Sequence, residues 1–520
     1  MNSPDILFIV LDTQRADRLS CYGHQKQTSP NIDHFAQKGL LFKQAIAPAQ
    51  WTIPSHASMF TGLYPTAHQV TQSHQSLGPD APHLAEILQA AGYETVGFCN
   101  NPLVGILNNG FKRGFDQFYN YGGAFPDLPI RKKRKLLGRV QDRLNQFMQR
   151  ISQPIQNYFG QSDLALSLAI YSWLTPLWSR WANFKGQNEK SIQDVVDYLD
   201  DREQREPDEP LFLFLNLMET HLPFFPPQKY VNQVAPYMKH DKEAREIMSR
   251  WNREAYRWAA PLPKGLNKKE AQVLSDMYDA EVAYQDDYLQ KLFAMLEKRA
   301  NKENTLTIIV GDHGDGLGEH QYFGHAFVAY QELVHVPLIM HWPARVQEGQ
   351  VVTEPVSTRR VYHTLLDAVP NLPEYENLNT AEVRGLSLHE VAQGRDVEDA
   401  TAFTEIYPPL NFVRAIEHRQ PELIESFGCL DLRRAIIKNN LKLIMLDDEP
   451  NELFNLHQDK LELQNIIHQR PADKAVLSQQ VNRIVGAVET QRDSLLSGTP
   501  LNLEHDEELL KRLRGLGYID

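Results

Sequence analysis

Continuous apolar runs and amphipathic stretches alternate along the chain, and this alternation predicts an α/β fold. The runs at positions 5–11, 210–218 and 305–310 are typical of strands that are buried on both faces of a parallel sheet. The other elements predicted here are strands over 95–99 and 336–340 and helices over 84–91 and 191–199. Polar residues follow several of these strands, at the edge where open α/β sheets bind their ligands.

The pattern weakens beyond about residue 365, which indicates a second, smaller unit at the carboxyl end. Its predicted elements are short strands over 400–403, 434–437 and 441–445 and a terminal helix over 509–516. We therefore divide the chain into a larger unit, 1–365, and a smaller αβ subdomain, 366–520, which carries a small antiparallel sheet.

Residues 126–186 differ in composition from both of their flanks. Eight arginines and lysines lie between 131 and 150, and Trp173, Trp178 and Trp181 follow them. Basic residues with interfacial tryptophans can hold a helical segment on an anionic membrane, so 130–182 is a candidate lipid-facing lid. The alternative, which we favour, is a solvated basic helix beside a helix packed on the body, because tryptophans are more often buried.

The stretch from Trp51 to Pro65 predicts a strand that runs into a helix, with a hydroxyl at the junction. Pro54 favours a first helical turn and Gly62 a helix end, so the helix is expected to begin beside Thr52. The unpaired N–H groups of a helix amino terminus favour a bound oxyanion and an ionised nucleophile. Taken alone, Thr52 is better explained as an ordinary N-cap residue.

Charge and cysteine content narrow the classes of function. The net charge of −13 over 520 residues argues against a dedicated nucleic-acid binder. The three cysteines lie far apart and form neither a metal-binding cluster nor a disulfide framework, as expected in a reducing compartment. The first predicted strand begins within a few residues of Met1 with no signal segment ahead of it, so we expect a cytoplasmic protein, membrane-associated if the lid contacts lipid.

Metal-type donors follow three separate predicted strands. The polar residues at strand ends are Asp12, Asn100, Asn101, His221, Asp312 and His313, with His325 a short loop further on. Each has a structural explanation by itself: a capping aspartate, a core histidine or a glycine-rich turn. Together the carboxylates and imidazoles favour a site for a divalent cation.

These residues carry a resemblance to a known family. Thr52-x-Pro54-Ser55 followed by Thr61-Gly62 resembles the signature of the sulfatase family, in which the first position is a Cys or Ser matured to formylglycine. Asp12 resembles that family's first metal ligand, and Asp312-His313-Gly314 resembles its Asp-Asn or Asp-His metal pair. Segments 219–223, 318–325 and 513–518 are similar as well.

The resemblance covers 4–125 and 187–345 well, the C-terminal third weakly and the insert not at all. It implies membership of the sulfatase branch of the alkaline phosphatase superfamily. The implied fold is a three-layer αβα sandwich with a mixed, mostly parallel central sheet, plus the smaller C-terminal αβ subdomain.

The sequence departs from the sulfatase pattern at positions that matter for chemistry. Thr52 stands where formylglycine would be made, and a threonine cannot be converted to that aldehyde hydrate. His56 replaces the arginine that holds the hydrate, and Thr13 stands where many sulfatases have a second Asp. No Lys-Trp-His motif follows residues 91–93.

A threonine nucleophile resembles the phospho-transfer members of the superfamily, such as lipoteichoic acid synthases and phosphoethanolamine transferases. That resemblance implies a metal ion held by Asp12, Thr52, Asp312 and His313. The donor set favours Zn or Mn, with Ca and Mg as alternatives. A second metal at His221 and His325, with Glu219, is a further alternative.

The expected reaction depends on in-line positioning and electrostatic stabilisation. His221 and His325, with His56 as a weaker candidate, would hold nonbridging oxygens or protonate the leaving group, and Asn100 or Asn101 would donate a further hydrogen bond. The leading function is therefore attack by Thr52 on a small or lipid-like phosphate ester, a phosphodiester or phosphonate monoester. The alternatives are an arylsulfatase-like sulfuric ester hydrolase and a catalytically silent sugar- or lipid-binding scaffold.

Overall fold

A computed structural model describes residues 3–122, 126–129, 185–254, 257–373 and 378–501. Most of the basic insert, including the candidate lid over 130–182, and the predicted terminal helix over 509–516 lie outside these ranges, apart from the few insert residues at either end. None of the helices in the described ranges combines the length and apolarity that a membrane span requires.

The apolar run at the start of the chain forms β1 (Asp5–Leu11), in which every residue is buried. It lies between β5 (Leu211–Leu217) and β7 (Thr305–Gly311), parallel to both and aligned so that Leu11 is opposite Leu217 and Gly311. All residues of these strands are buried, which explains why their sequences are continuously apolar rather than alternating. Their carboxyl ends reach the same edge of the sheet, and the polar residues that follow are brought together there.

The strands of the described chain are, in order, β1 (Asp5–Leu11), β2 (Leu40–Ile46), β3 (Glu94–Cys99), β4 (Gln117–Asn120), β5 (Leu211–Leu217), β6 (Ala260–Pro261), β7 (Thr305–Gly311), β8 (Gly316–Leu317), β9 (Tyr322–Gly324), β10 (His335–Val336), β11 (Leu338–His341), β12 (Gln350–Ser357), β13 (Thr401–Ile406), β14 (Arg433–Lys438), β15 (Leu441–Leu446) and β16 (Glu449–Asn455). The central sheet has the order β10-β2-β11-β7-β1-β5-β3-β4, with β12 also paired to β2. β10 and β11 are its antiparallel members.

The α-helices of the described chain are α1 (Pro30–Gln37), α2 (Thr52–Thr61), α3 (Pro65–His68), α4 (Leu84–Ala90), α5 (Pro102–Gly105), α6 (Asn188–Arg205), α7 (Gln228–Val234), α8 (Lys242–Arg253), α9 (Lys268–Leu296), α10 (Gln331–Val334), α11 (Arg360–Asp367), α12 (Thr380–Gly385), α13 (Leu388–Ala392), α14 (Leu410–Glu417), α15 (Glu422–Ser426) and α16 (Pro471–Asp493). Short 3-10 turns occupy Ala16–Arg18, Ser20–Tyr22, Pro236–Lys239, Lys302–Asn304 and Glu319–Gln321.

Strands β13 to β16 form a separate antiparallel sheet in sequence order. Apolar residues of α16, including Leu477 and Val481, pack with Phe403 and Leu443 of this sheet. In a third, three-stranded sheet, β8 and β9 from the loop region after β7 pair with β6, which precedes α9.

The mixed, mostly parallel sheet with a smaller C-terminal antiparallel sheet confirms the predicted fold class. The strand predicted over 336–340 is divided in two at Pro337, because proline has no N–H to donate to a ladder. The prediction missed β16, three strands of the central sheet, β2, β4 and β12, and the short strands β6, β8 and β9. Polar residues interrupt the apolar pattern of β2 and β12. The division at residue 365 stays a prediction.

Candidate active site

Thr52 is the first residue of α2, and Trp51 before it is the N-cap. The expectation that Thr52 itself caps the helix is therefore wrong by one position, and no side chain caps this end. The Thr52 hydroxyl faces away from its own helix: Oγ1 lies 3.4 Å from His313 Nε2 and accepts a hydrogen bond of 3.3 Å from Asn101 Nδ2. The helix start thus presents a hydroxyl to the edge of the sheet.

Asp12, Asp312 and His313 come together beside this hydroxyl. One ligand atom from each lies within 4.8 Å of the others, and all three side chains are fully buried. Asp12 follows β1, and the Asp312-His313 pair follows β7, so adjacent parallel strands supply the whole group. In the part of the chain that the structure describes, no other group of three His, Cys, Asp or Glu residues has this arrangement.

The donor chemistry of the group fits a divalent cation. Asp12 Oδ1 and Asp312 Oδ2 are buried without a hydrogen-bond partner, which is costly for a carboxylate unless a cation neutralises it. Burial raises the pKa of Asp12 to about 6, against the lowering effect of the Asn101 hydrogen bond. Burial and the neighbouring Asp12 raise the pKa of Asp312 well above its usual range. Asp12, Asp312 and His313 would hold the ion, with Thr52 Oγ1 beside them.

The orientations of the Asp312 and His313 side chains are fixed by backbone groups. The other oxygen of Asp312 accepts hydrogen bonds from the N–H of Thr13 (3.1 Å) and of His313 (2.8 Å). Thr13 adopts a left-handed conformation, φ 57°, which is uncommon for a residue other than glycine and turns its N–H toward Asp312. His313 Nδ1 donates to the carbonyl of Gly314 at 2.8 Å, so its Nε2 lone pair is directed at the cluster.

His221 and His325 lie next to each other beside this group, and their predicted role of facing the substrate stays a prediction. The His325 ring centroid lies 4.7 Å from that of His313 and 5.2 Å from that of His221. His325 Nδ1 lies 3.0 Å from Asp315 Oδ1, and its Nε2 is buried without a hydrogen-bond partner. His221 Nδ1 donates to the carbonyl of Leu222 at 2.7 Å, and burial lowers the His221 pKa to about 3.

His56 occupies a different place from the one expected. Its Nδ1 donates to the backbone carbonyl of Thr52 at 2.9 Å, and its Nε2 faces Asn216 Nδ2 at 3.5 Å. The ring also packs between Phe60 and Phe214, and burial lowers its pKa to about 4. Both ring nitrogens of His56 are engaged, and its Nδ1 also lies 3.5 Å from Asp312 Oδ2, so the ring supports α2 and the Asp312 carboxylate.

Of the two adjacent asparagines, the structure brings only Asn101 to the cluster. Asn101 Nδ2 donates to Asp12 Oδ2 at 2.6 Å as well as to Thr52. Asn100 points the other way, where its amide joins Ser191 Oγ and the carbonyl of Asn216 and accepts from Gln187 N. Asn100 therefore ties α6 to the sheet, and its predicted role in substrate binding is corrected.

Glu219 is not arranged to hold a second metal. Its carboxylate lies 3.5 Å from Lys185 Nζ, which also forms a 2.7 Å ion pair with the buried Glu281. The His221 and His325 rings are adjacent, but in the described ranges they belong to no group of three metal-type donors whose ligand atoms lie within 4.8 Å of one another.

Three supporting residues were missed by the sequence reasoning. Thr13 acts through its backbone, which no sequence signal shows. Asp315 lies in the same Gly-Asp-His-Gly-Asp-Gly motif as Asp312, and its partner His325 is ten residues away. Asn216 accepts from Asn101 N at 3.0 Å, and its signal was a single polar residue inside the apolar run of β5.

Comparison with known proteins places this geometry in a family. The family model "Sulfatase" matches residues 4–371, and the model "N-sulphoglucosamine sulphohydrolase, C-terminal" matches residues 318–489. An arylsulfatase of Clostridium perfringens is 25% identical over 478 residues, which cover 89% of this chain and 90% of that protein. The multifunctional alkaline phosphatase superfamily protein PehA of Trinickia caryophylli is 22% identical, with 90% of this chain and 91% of that protein covered.

Solved structures share the fold across nearly the whole chain. The phosphonate monoester hydrolase of Agrobacterium radiobacter aligns with a TM-score of 0.62 at 19% identity, covering 95% of this chain and 96% of that one. A protein solved with its substrate D-glucosamine-2-N,6-O-disulfate aligns with a TM-score of 0.65 at 17% identity, covering 94% and 99%. With a family model spanning more than half of its length, the chain belongs to the sulfatase family of ester hydrolases.

Proposed function

We propose that this enzyme transfers the phosphoryl group of a phosphodiester or phosphonate monoester, with Thr52 as its nucleophile. The observation that carries the proposal is the position of Thr52 Oγ1, 3.4 Å from His313 Nε2 at the edge of the Asp12–Asp312–His313 group. A threonine cannot become formylglycine, so the hydroxyl itself has to attack. Phosphoryl transfer to a hydroxyl is a reaction that this arrangement supports.

A divalent cation held by Asp12, Asp312 and His313 would lower the pKa of the Thr52 hydroxyl and offset the negative charge on the transferred group. The same donors favour Zn or Mn over Ca or Mg, because one of the three is an imidazole. Asn101 donates to both Thr52 and Asp12, so it holds the nucleophile against the cation site.

The chain's own histidines account for the protons. As Oγ1 attacks phosphorus, the Oγ1–P bond forms and the bond to the leaving oxygen breaks. His221 or His325 takes the hydroxyl proton and returns it to the leaving oxygen. Water or an alcohol then attacks the phosphothreonine ester, which restores the Thr52 hydroxyl and makes the enzyme a hydrolase or a transferase.

The transferred group has to be compatible with the charge of the site. The charges of two carboxylates and one divalent cation sum to zero, and the histidine side chains at the site are buried. A singly charged phosphodiester or phosphonate monoester therefore suits the site better than a doubly charged phosphomonoester. A solved protein named phosphonate monoester hydrolase shares the fold, which supports such esters as candidate substrates.

Sulfate ester hydrolysis is the second candidate, because the arylsulfatase of C. perfringens aligns over 89% of this chain. Sulfate monoesters are also singly charged, so charge does not separate the two candidates. Thr52 and His56 at the positions of formylglycine and its arginine favour phosphate.

The test is a substrate panel that keeps the leaving group constant. The metal-loaded enzyme is assayed on bis-p-nitrophenyl phosphate, p-nitrophenyl phenylphosphonate, p-nitrophenyl sulfate and p-nitrophenyl phosphate. We expect the highest kcat/KM on the diester or the phosphonate. Preferred turnover of the sulfate would overturn the proposal, and no turnover of any ester by metal-loaded protein would favour the silent scaffold.

A further inference from the structure

A segment of the C-terminal part of the chain packs beside the site. Residues 407–428 make up most of the connection from β13 to β14 and contain α14 and α15. Phe412, Val413 and Ile416 of α14 are buried in the same hydrophobic cluster as the strands of the central sheet. The segment therefore belongs to the packing around the catalytic edge, although it is inserted between strands of the small sheet.

Gln50 fixes the start of this segment to the catalytic loops. Its side chain is fully buried, and its Nε2 donates to the carbonyls of Ala326 and Tyr407, each at 2.8 Å. Gln50 lies two residues before Thr52, and Ala326 directly follows His325. One amide thus joins the nucleophile, the His325 loop and segment 407–428.

Gln72 makes a second attachment at the same point. Its Nε2 donates to the carbonyl of Pro408 at 2.9 Å, and its Oε1 accepts from the N–H of Leu410 at 2.9 Å. Gln72 is therefore hydrogen-bonded both to the backbone just before α14 and to the first residue of the helix. These bonds fix the position of α14 relative to His325.

Phe412 is the side chain of this helix that reaches His325. Their ring centroids are 6.4 Å apart with an interplanar angle of 83°, and Phe412 is 8% exposed. Among the described residues, the other rings that contact His325 are the imidazoles of His313 and His221. Phe412 is thus an apolar ring in contact with one of the imidazoles at the site.

We propose that Phe412 is a specificity-determining residue that binds an apolar, preferably aromatic, substituent of the ester beside His325. The inference rests on the proposed function in that the ester reacts at Thr52. The oxyanion of the substrate has polar partners at the cluster, whereas its organic substituent needs an apolar surface. An aromatic ring packed against Phe412 would bury more apolar area than a methyl group does.

The test compares two esters that differ only in the retained substituent, p-nitrophenyl phenylphosphonate and p-nitrophenyl methylphosphonate. We expect Phe412→Ala to lower kcat/KM about tenfold on the phenyl ester and less than about threefold on the methyl ester. Phe412→Leu should lose less kcat/KM on the phenyl ester than Phe412→Ala does. Leu410→Ala is the matched control, because Leu410 lies on the same helix and is 40% exposed.

A second readout is binding of phenylphosphonate and methylphosphonate to the metal-loaded protein by calorimetry, where Phe412→Ala should weaken only the phenyl compound. Equal losses for both compounds, or no loss for either, would overturn the inference. If wild-type enzyme turns over only sulfate esters, the proposed function fails on its own. The binding comparison of phenylphosphonate and methylphosphonate still tests the role of Phe412 in that case, with the same two outcomes.

Discussion

At the scale of single residues, the site is defined by buried carboxylate oxygens that have no hydrogen-bond partner in the described chain. Asp12 Oδ1 and Asp312 Oδ2 are in this state, although the other oxygen of each residue is hydrogen-bonded. A protein interior rarely keeps an unpaired carboxylate unless a proton or a cation neutralises it. The two residues therefore couple metal binding to pH.

The pH dependence of metal binding follows from the raised pKa values. Without metal, Asp12 titrates at about 6 in the folded chain instead of its usual 3.8, because of burial. The folded state then binds more protons than the unfolded state, so the stability of the metal-free protein falls as pH rises through this window. The cation replaces those protons, so its binding should strengthen over the same range.

Thermal unfolding with and without Zn or Mn at pH 5 and pH 7.5 measures this effect. The rise in Tm on adding the metal should be larger at pH 7.5. A metal-induced rise that is equal at the two pH values, or larger at pH 5, would show that the Asp12–Asp312 pair does not govern binding.

At the scale of elements, the turn after β7 is the part on which the site depends most. The turn carries Asp312 and His313, and the N–H of Gly314 donates to the carbonyl of Leu333 in α10 at 2.7 Å. A Cβ at Gly314 would overlap the carbonyl oxygen of Glu332 and lie 3.0 Å from Arg15 Cγ. The close contact with α10 leaves no space for a side chain at this position. Backbone conformation does not require the glycine, because its φ is not positive.

Gly314→Ala should therefore lower the free energy of unfolding by about 1–3 kcal/mol and reduce the bound metal, because the turn has to move. Urea unfolding and metal analysis by mass spectrometry measure the two effects. The matched control is Gly486→Ala, at an exposed position of α16 where an added Cβ meets nothing within 4 Å. That change should raise stability by about 0.5–1 kcal/mol. If Gly314→Ala changes neither the free energy of unfolding nor the amount of bound metal, the close packing of the turn against α10 does not matter as described.

At the scale of the whole molecule, the small sheet is joined to the catalytic loops by a buried charged group. Lys442 of β15 forms a 2.7 Å ion pair with Glu462, and both side chains are fully buried. Glu462 also accepts from Gln331 N at 2.6 Å, and its backbone carbonyl lies 3.2 Å from His320 Nε2. His320 precedes β9 and the His325 loop, so the C-terminal part of the chain supports the site from outside the central sheet.

Lys442→Ala should be strongly destabilising, by about 3–5 kcal/mol, because it leaves the Glu462 carboxylate buried without its partner. Lys242→Ala is the control, since the Lys242–Glu246 pair is 84% and 65% exposed and should matter by less than about 1 kcal/mol. Chemical denaturation of both variants gives the comparison. If the two variants lose similar amounts of unfolding free energy, burial does not determine how much the Lys442–Glu462 pair matters for stability.

The sequence predicted what depends on local pattern and on neighbouring strand ends. β1, β5 and β7 follow from continuous apolar runs, and Asp12 and Asp312 follow directly after two of them. What it missed depends on contacts between distant segments: His56 turns into the core toward Asn216, and Asn100 turns toward Ser191. Neither direction can be read from the residue type, because both side chains are set by the packing of α2 and α6.

The most direct test of the central claim compares Thr52→Ala and Thr52→Ser on the best phosphate ester while the bound metal is measured in each variant. Thr52→Ala should abolish turnover and keep most of the metal, since Asp12, Asp312 and His313 remain. Thr52→Ser keeps a hydroxyl and should retain activity, whereas Asp312→Asn should lose both metal and activity. Undiminished turnover by metal-loaded Thr52→Ala would contradict the account, because the attacking hydroxyl would then not be Thr52.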